Sequence, residues 1–433
     1  MPANFRSALY FSSTSIVYKL LDLVGDPIGK FYSSPNMETF AKRSKKTPVQ
    51  KSLTGVLVSA DHQVCSEVLK SPNWLARPFA ERLYLATGNY EPEAIHPFLD
   101  SVIAMDGPDH RRVRKLMQTA FTNRLIESWR ESSERSVREL IAQIKDVPNF
   151  DFVESFANPM PLHVISEIIG VPNAYRAQCN SWGQTLAGIG LDLPKNNREL
   201  EELEEAALGL TGLISQLLQE RRVNPTEDLI SVLAAAQSEG EQLSDREIIA
   251  TCAFTLIAGF ETTANLLSVG MLSLLENPAQ LRLLADNPDL LPNFIEESLR
   301  VSSPIQFVVR TADSDQVLAD GTKARAGQTI ILNLAGANRD PKVFDEPDAF
   351  QIQRENAKKN VSFGFGAHHC IGSQLARVEA EVFWNLIFKT FPDVSSWGLT
   401  EKPSYSNRKL IRSLEKLQIT FGVQAEVSRK RNL

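Results

Sequence analysis

Cysteine is scarce in this chain of 433 residues, and its four cysteines are far apart. Cys65, Cys179, Cys252 and Cys370 form no C-x-x-C pair. This spacing excludes a disulfide framework and a cysteine quartet for an iron–sulfur cluster. It is typical of a reducing compartment, so we expect a cytoplasmic protein.

An excess of positive charge is also missing. The chain has 46 lysine and arginine residues against 52 aspartate and glutamate residues, which gives a net charge of −6 at pH 7. Nucleic-acid binding depends on a strongly basic surface. We therefore expect no nucleic-acid partner.

A long apolar run is absent from the N-terminus. The segment SALYFSSTSIVYKLLDLVG is interrupted by Lys19 and Asp22, and it falls short of the roughly 18 apolar residues that a spanning helix needs. It also lacks the basic start and the cleavage site of a signal peptide. We expect no transmembrane segment, and we expect residues 1–35 to be an N-terminal extension that packs on the domain, a surface anchor being the alternative.

No repeat, low-complexity linker or change in composition divides the remaining chain. Residues 36–433 are therefore expected to form a single domain, and the protein to be a monomer. Long helical patterns dominate, and short β-branched stretches such as QFVVRTA and TIILNLAG occur in the second half. The pattern predicts a mainly α fold with a small β part.

The longest helical pattern begins after a capping box formed by Ser244 and Glu247 and is apolar on nearly every face. Such a helix crosses the middle of a large core. It contains Gly259, Glu261 and Thr262 in the stretch AGFETT. Glycine costs about 1 kcal/mol in a helix interior, so a flat group close to the helix is one explanation for it. The buried polar side chains either bond locally or deliver protons to a reaction centre.

The stretch FGFGAHHCIGSQLAR, residues 363–377, places Cys370 in a glycine-rich loop before a helix. A zinc site would need further ligands, and a nucleophilic cysteine would need a base rather than glycines. Glycines let a backbone pass close to a planar group and leave amide N–H groups free to point at sulfur. A thiolate at the start of a helix suits axial ligation of haem iron.

These stretches together resemble the cytochrome P450 family of haem-thiolate monooxygenases, of the soluble bacterial type. Phe363-Gly364-x-Gly366-x-His368-x-Cys370-x-Gly372 resembles its haem-binding signature. AGFETT and Glu297-x-x-Arg300 resemble its oxygen-activating helix and its charge-pair helix. DGPDHRRVR, VISEIIGVP, ANRDPKVFDEPDAF and RSLEKLQITF follow the family's order, over roughly residues 50 to 425. The resemblance implies a cytochrome P450 fold, with haem held between the long central helix and the Cys-loop helix.

The resemblance also implies roles for individual residues. Cys370 would be the axial iron ligand, and Thr262 and Glu261 would be the catalytic pair that holds dioxygen or a water and relays protons. Glu297 and Arg300 would form a structural triad with Arg354. The remaining haem-binding positions implied are His110, Arg114, Gly259, Arg310, Phe363, His368 and Gly372.

The implied activity is insertion of one oxygen atom from O2 into a mostly apolar small organic molecule. The cofactor would be haem b (Fe protoporphyrin IX), with electrons from NAD(P)H through a separate ferredoxin or flavodoxin-type protein docked near Arg111, Arg112 and Lys115. Alternatives are an H2O2-driven peroxygenase and a non-catalytic haem-binding protein. Fatty acids, terpenes, small aromatics and polyketides are all open as substrates. The pocket residues implied are Trp74, Arg77, Phe79, Leu186, Ile189, Phe254, Ile257, Ala258, Ile305, Phe307 and Ile411.

Overall fold

The protein is described from a computed structural model. The structure describes residues 18–34, 37–43, 47–78, 81, 93–119, 123–190, 196–238 and 241–422. Phe79, one of the expected pocket residues, lies outside the described residues. Ile189 belongs to a described helical turn, but its side chain lies outside the description.

Helices make up most of the described chain, which confirms the predicted fold class. The α-helices are α1 Pro27–Ser33, α2 Met37–Arg43, α3 His62–Lys70, α4 Gly107–Gln118, α5 Asn123–Ile144, α6 Pro159–Ile169, α7 Asn173–Thr185, α8 Asn197–Val223, α9 Leu229–Ala235, α10 Asp245–Glu276, α11 Pro278–Asp286, α12 Leu291–Val301, α13 Leu334–Ala337 and α14 Ser373–Thr390. Two π-helical turns, Val153–Ala157 and Leu186–Gly190, precede α6 and follow α7.

The β part is small and assembles from strands that are distant in sequence. The strands are β1 Val49–Lys51, β2 Leu57–Ser59, β3 Trp74–Leu75, β4 Phe150–Asp151, β5 Gln237–Ser238, β6 Glu241–Gln242, β7 Phe307–Ala312, β8 Gln316–Val317, β9 Lys323–Ala324, β10 Thr329–Asn333, β11 Gly398–Leu399, β12 Ser404–Tyr405, β13 Leu414–Lys416 and β14 Gln418–Thr420. The largest sheet has the order β1-β2-β10-β7-β3, in which β10 runs parallel to β2 and antiparallel to β7.

The central helix α10 begins at the predicted capping box. The Ser244 side chain accepts a hydrogen bond from the Glu247 backbone N–H, and the Glu247 carboxylate accepts one from the Ser244 backbone N–H. The helix packs against α6, α8, α12 and α14. Among the described residues it is the one helix long and apolar enough to cross a membrane, but 78% of its most apolar window is buried inside the protein. It is therefore a core helix.

The N-terminal part of the described chain packs on the large sheet. Ile28 and Phe31 of α1 share a buried cluster with Val309 of β7 and Ile331 of β10. Asp26 caps α1 by accepting a hydrogen bond from the Ile28 N–H at 2.8 Å. Burial of these apolar side chains accounts for the position of α1.

Candidate active site: the Cys370 loop and the central helix

The loop before α14 turns tightly around Cys370. Gly364 and Gly366 have φ of 65° and 68°, in the region that favours glycine. A side chain at Gly366 would also overlap the Leu69 carbonyl at the end of α3. The Cys370 N–H donates to the Phe363 carbonyl at 2.9 Å, which closes the loop.

The Cys370 side chain is exposed, unlike those of Cys65, Cys179 and Cys252. Burial nevertheless raises the pKa of the Cys370 thiol, so its accessible surface borders a space inside the protein. The backbone N–H of Gly372 and the charge of Arg114 act in the opposite direction and lower this pKa. These are the groups that would stabilise a thiolate once a metal displaced the proton.

Phe363 and Arg377 flank the cysteine loop. The Arg377 guanidinium lies over the Phe363 ring, 4.5 Å from its centroid. It also donates to Glu296 at 2.6 Å, and Glu296 accepts a bond from Asn360 at 2.9 Å. Arg377 follows Cys370 by two helical turns, but no local pattern showed that it would reach Phe363.

A cluster of basic side chains lies beside this loop, at the positions expected to hold haem propionates. The His110 and His368 rings are 4.2 Å apart between centroids. Arg114 donates a hydrogen bond to the backbone carbonyl of His369. His369 itself is a loop residue with no role assigned to its side chain. Arg310 is buried on β7. Within the described residues, its guanidinium donates a hydrogen bond to the Val309 carbonyl at 2.8 Å.

Burial sets the protonation of this cluster. It lowers the pKa of His110 to about 4 and that of Arg310 to about 10. His110 is therefore neutral at pH 7, while Arg310 stays charged. Within the described residues, the His110 Nε2 atom is buried and has no hydrogen-bond partner. A buried polar atom of this kind indicates a missing ligand or water.

Asp106, which sequence reasoning did not identify, organises the same region. Its carboxylate lies 3.5 Å from His368 Nε2 and accepts the N–H groups of Ala76 and Arg77 at 3.0 and 2.8 Å. Burial alone would raise the pKa of Asp106, but these hydrogen bonds lower it. Its only sequence signal was its place immediately before the Gly107-Pro108 helix start.

One face of α10 is partly accessible. Most residues of this helix are buried. Three residues spaced by four positions are only partly buried and share one face: Phe254, Ala258 and Thr262. Thr262 Oγ1 donates to the Ala258 carbonyl at 2.8 Å, and Thr255 makes the same bond to Thr251 at 2.7 Å. Because its proton points at the helix backbone, the Thr262 oxygen can accept a hydrogen bond on that face.

Gly259 has a different explanation from the one expected. A Cβ atom there would lie 2.9 Å from Cδ1 of Ile165 on α6. Close packing of α6 on α10 therefore requires the glycine, whether or not a planar group lies nearby. At Gly372, in contrast, a Cβ atom would meet no protein atom within 4 Å.

Glu261 is 8% exposed and forms an ion pair with Arg408 in the loop before β13. The two residues are 147 positions apart, so no local pattern predicted the pair. A polar cavity of about 200 Å³ adjoins them, lined among others by Asn158, Asn265 and Ser406. The buried Asn265 Oδ1 lacks a hydrogen-bond partner among the described residues, as is typical of a site for ordered water.

Glu379 is a second buried carboxyl that sequence reasoning missed. It lies on α14, is 2% exposed, and bonds Thr263 of α10. Burial raises the pKa of Glu379 to about 8. It is therefore largely protonated at pH 7 and can join α14 to α10 without leaving a charge in the core.

The expected triad residues are in contact and fully inside the protein. Arg300 donates to both Glu297 oxygens, at 2.7 and 2.8 Å, and Arg354 donates to Glu297 at 3.1 Å. Arg300 also bonds the carbonyls of Asn338, Pro347 and Ala349. The pair therefore anchors the chain that leads into the Cys370 loop, and neither side chain reaches the accessible face of α10.

The expected pocket residues lie in several parts of the structure. Ile305 and Ile411 form a backbone bridge, and Phe254 packs edge-on against Phe98, with centroids 6.1 Å apart. Leu186 and Ile257 are buried in the main core. Trp74 is 4% exposed and belongs to the core of the large sheet. Phe307 packs edge-on against Phe31 of α1, with ring centroids 4.8 Å apart.

Two expected cations have other partners. Arg77 is half-exposed and pairs with Glu81 at 2.6 Å, which is the geometry of an ordinary surface ion pair. Arg112 is 22% exposed and pairs with Glu247 at the start of α10, so it ties α4 to α10. Arg111 and Lys115 are exposed on α4.

In the described part of the chain, no group of three or more His, Cys, Asp and Glu side chains is placed to hold a metal ion. The described residues therefore contain no metal site built from protein ligands alone. The residues do fit a haem. Cys370 would supply a thiolate ligand, Gly372 leaves room beside it, and His110, Arg114 and Arg310 would supply donors for carboxylates.

Comparisons with known proteins agree with this reading. The Cytochrome P450 family model matches residues 180–421. The chain is 35% identical to cytochrome P450 CYP107DY1 of Priestia megaterium over 75% of its own length and 77% of that protein. It is 36% identical to the biotin biosynthesis cytochrome P450 of Bacillus subtilis over 72% of its own length and 78% of that protein.

Solved structures show the same similarity. The crystal structure of P450BioI in complex with hexadec-9Z-enoic acid ligated acyl carrier protein has a TM-score of 0.79 and 32% identity, covering 89% of this chain and 98% of that one. CYP109E1 of Bacillus megaterium in complex with testosterone has a TM-score of 0.77 and 28% identity, covering 90% and 100%. The predicted fold is confirmed, and the chain belongs to the cytochrome P450 family of haem monooxygenases.

Proposed function

We propose that this monooxygenase takes its oxygen atom from O2 and inserts it into an apolar small molecule. The observation that carries the proposal is the carboxyl–hydroxyl pair Glu261–Thr262, with Thr262 on the accessible face of α10 and Glu261 against a polar cavity. Use of O2 requires protons at the reaction centre, whereas a peroxygenase receives them with its oxidant. A haem held by Cys370 would supply the oxygen chemistry, and the chain's own residues would supply the protons.

The proton route runs from the cavity to Thr262. The cavity volume of about 200 Å³ corresponds to several water molecules at about 30 Å³ each. Water there can exchange protons with the Glu261 carboxylate, and the adjacent Thr262 oxygen can accept a hydrogen bond from a water held over the helix. Arg408 fixes the orientation of Glu261 by its ion pair.

Thr262→Val tests this route. We expect oxygen consumption to continue while product per O2 falls by about tenfold or more, with peroxide released, because general acid–base groups contribute ~10²–10⁴-fold. Oxygen, peroxide and product would be measured together in the reconstituted enzyme. Thr255→Val removes the equivalent backbone bond two helical turns earlier, at a buried position, and serves as the control. Unchanged coupling in Thr262→Val, with activity supported by H2O2 alone, would favour the peroxygenase.

Arg408→Gln tests the positioning of Glu261. We expect about a fivefold fall in turnover, equivalent to the ~1 kcal/mol of a partly exposed ion pair, and a larger solvent isotope effect. Substrate-induced changes in the Soret spectrum should be unaffected. Arg412→Gln is the matched control, since Arg412 lies in the same loop but pairs with Glu38 at 3.1 Å. Equal effects of the two substitutions would assign Arg408 to loop stability alone.

The electron donor is proposed to be a separate ferredoxin or flavodoxin-type protein that docks near Arg111 and Lys115. Exposed cations speed encounter with an acidic partner, and salt screens this effect. Arg111→Glu should lower the rate of haem reduction by a surrogate ferredoxin at low salt and leave the haem content unchanged. Arg198→Glu, an 87% exposed arginine on α8, is the control. Equal rates for both variants would place the docking surface elsewhere.

The substrate is proposed to be apolar. On the partly accessible face of α10, Phe254 and Ala258 are apolar and Thr262 is the polar residue. The bridge between Ile305 and Ile411 is apolar as well. The similar solved structures of P450BioI and CYP109E1 hold a carrier-bound fatty acid and a steroid. A Soret titration with fatty acids, steroids, terpenes and matched charged aromatics would test this. A response to anionic aromatics alone would contradict it.

A further inference from the structure

An apolar patch is exposed where the N-terminal part of the described chain meets the β1–β2 turn. It consists of Leu20, Leu23, Val24 and Leu53, whose exposed fractions are 57%, 82%, 70% and 80%. Single exposed apolar side chains are normal on soluble proteins, whereas a contiguous group usually marks an interaction site. The patch lies far along the chain from every residue assigned above to haem or proton transfer.

The helical turn at residues 18–23 carries apolar side chains on two opposite faces, with Lys19 and Asp22 on the flank between them. Tyr18 and Leu21 pack inward against the cluster that contains Ile28 and Phe31. Leu20, Leu23 and Val24 follow the i, i+3, i+4 spacing and therefore share the opposite face. An exposed apolar face of this kind normally has a partner. Among the described residues, no side chain covers the outer face of this turn.

Asp26 joins the β1–β2 turn, which carries Leu53, to the chain that follows this helical turn. The Asp26 carboxylate accepts the Leu53 N–H at 2.7 Å and the Ser52 hydroxyl at 2.9 Å, while it also caps α1. Asp26 follows Val24 by two residues, so the β1–β2 turn and the end of the helical turn form one unit. The patch is therefore preformed rather than assembled on contact.

Within the described chain, the exposed charged side chains next to the patch residues in sequence are lysines. Lys19 and Lys51 are exposed, and the Lys30 Nζ atom lies beside Gly25, 3.8 Å from the position of a Cβ there. The nearby acids are less accessible, because Asp26 is buried and Asp22 is half-buried. A second copy of the chain, related by a two-fold axis, would bring the same lysines together and be repelled. An anionic lipid surface satisfies both the apolar face and the lysines.

We propose that this patch docks the protein on a phospholipid bilayer that contains anionic lipids. The leucines and Val24 would enter the boundary between headgroups and acyl chains, and the lysines would meet the phosphates. The proposed contact is peripheral, because the one helix of the described residues that is long and apolar enough to span a membrane is α10, which is buried in the core. It goes beyond the proposed function and does not depend on the substrate or the source of oxygen.

The test is co-sedimentation of the purified holoprotein with vesicles of phosphatidylcholine alone and with one third phosphatidylglycerol. We expect binding to the anionic vesicles that weakens with salt and is lower on the neutral vesicles. The double substitution Leu23→Asp, Val24→Asp should lower the bound fraction at least about tenfold, since each side chain loses its apolar transfer. The control variant is Val317→Asp, which places an aspartate at a 65% exposed valine on β8, outside the patch. This variant should bind the vesicles as the unmodified protein does.

Folding is checked independently by the Soret spectrum and the thermal midpoint, which exposed substitutions should leave unchanged. Lys19→Glu with Lys51→Glu should weaken binding to anionic vesicles only. The proposal is overturned if the unmodified holoprotein binds neither kind of vesicle, or if the double aspartate variant binds as well as the Val317→Asp control. It is also overturned if the aspartates convert a dimer into a monomer without changing vesicle binding, which would identify the patch as a self-association surface.

Discussion

Cys370→Ala is expected to abolish monooxygenase activity, with a fall of at least about a thousandfold, because a metal centre that activates oxygen supplies several kcal/mol of transition-state stabilisation. The physical reason lies in the loop. Cys370 is the accessible cysteine of the described chain, and the Gly372 N–H and the Arg114 charge offset part of the rise in its pKa that burial causes. Alanine removes the ligand but keeps the loop bond from the residue 370 N–H to Phe363.

The measurement is the Soret absorption of the reduced carbon monoxide complex, alongside product formation. Thiolate ligation gives a characteristic shift that Cys370→Ala should lack, even where some haem is retained by His110, Arg114 and Arg310. Cys179→Ala is the control, since burial raises the pKa of that thiol to about 11 and keeps it inert. A thiolate-type spectrum in Cys370→Ala would show that another residue ligates the iron.

Arg300→Ala is expected to destabilise the fold by about 3–5 kcal/mol, because it leaves the Glu297 carboxylate buried without its main partner. Both side chains are 0% exposed, and Arg300 also bonds three carbonyls of the segment that leads to the Cys370 loop. Haem retention should fall together with stability. Arg300→Lys should fail similarly, because an ammonium group cannot reproduce the two-pronged contact.

The measurement is urea unfolding followed by both haem absorbance and far-UV circular dichroism. Arg198→Ala is the matched control, since it removes an i, i+4 pair with Glu202 whose side chains are 87% and 44% exposed. That surface pair should contribute less than about 1 kcal/mol. If Arg300→Ala and Arg198→Ala lose similar stability, the buried triad does not hold the segment before the cysteine loop.

Local signals in the sequence were sufficient for much of the fold and for the chemistry class. The capping box at Ser244, the apolar length of α10 and the glycines around Cys370 each act within a few residues. Such features depend on backbone geometry and helix periodicity, which a single segment contains. The ordered motifs then pointed to the cytochrome P450 family, and the comparisons confirmed it.

Contacts between distant segments were not accessible in this way. Arg408 reaches Glu261, and Asp106 reaches His368, only because the chain folds back over long separations. The same folding gave Arg112 a carboxylate partner, buried Trp74 in the sheet and placed Ile165 against Gly259. Whether a charged or aromatic side chain is free or engaged depends on what surrounds it in three dimensions.

The sequence by itself therefore determined the glycine-rich Cys370 loop, the central helix and the family, because these follow from local geometry and residue chemistry. The tertiary structure alone decided which cations remain available, how Glu261 is held and where apolar side chains stay exposed. Those properties depend on burial and pairing, and both arise only when remote segments pack together.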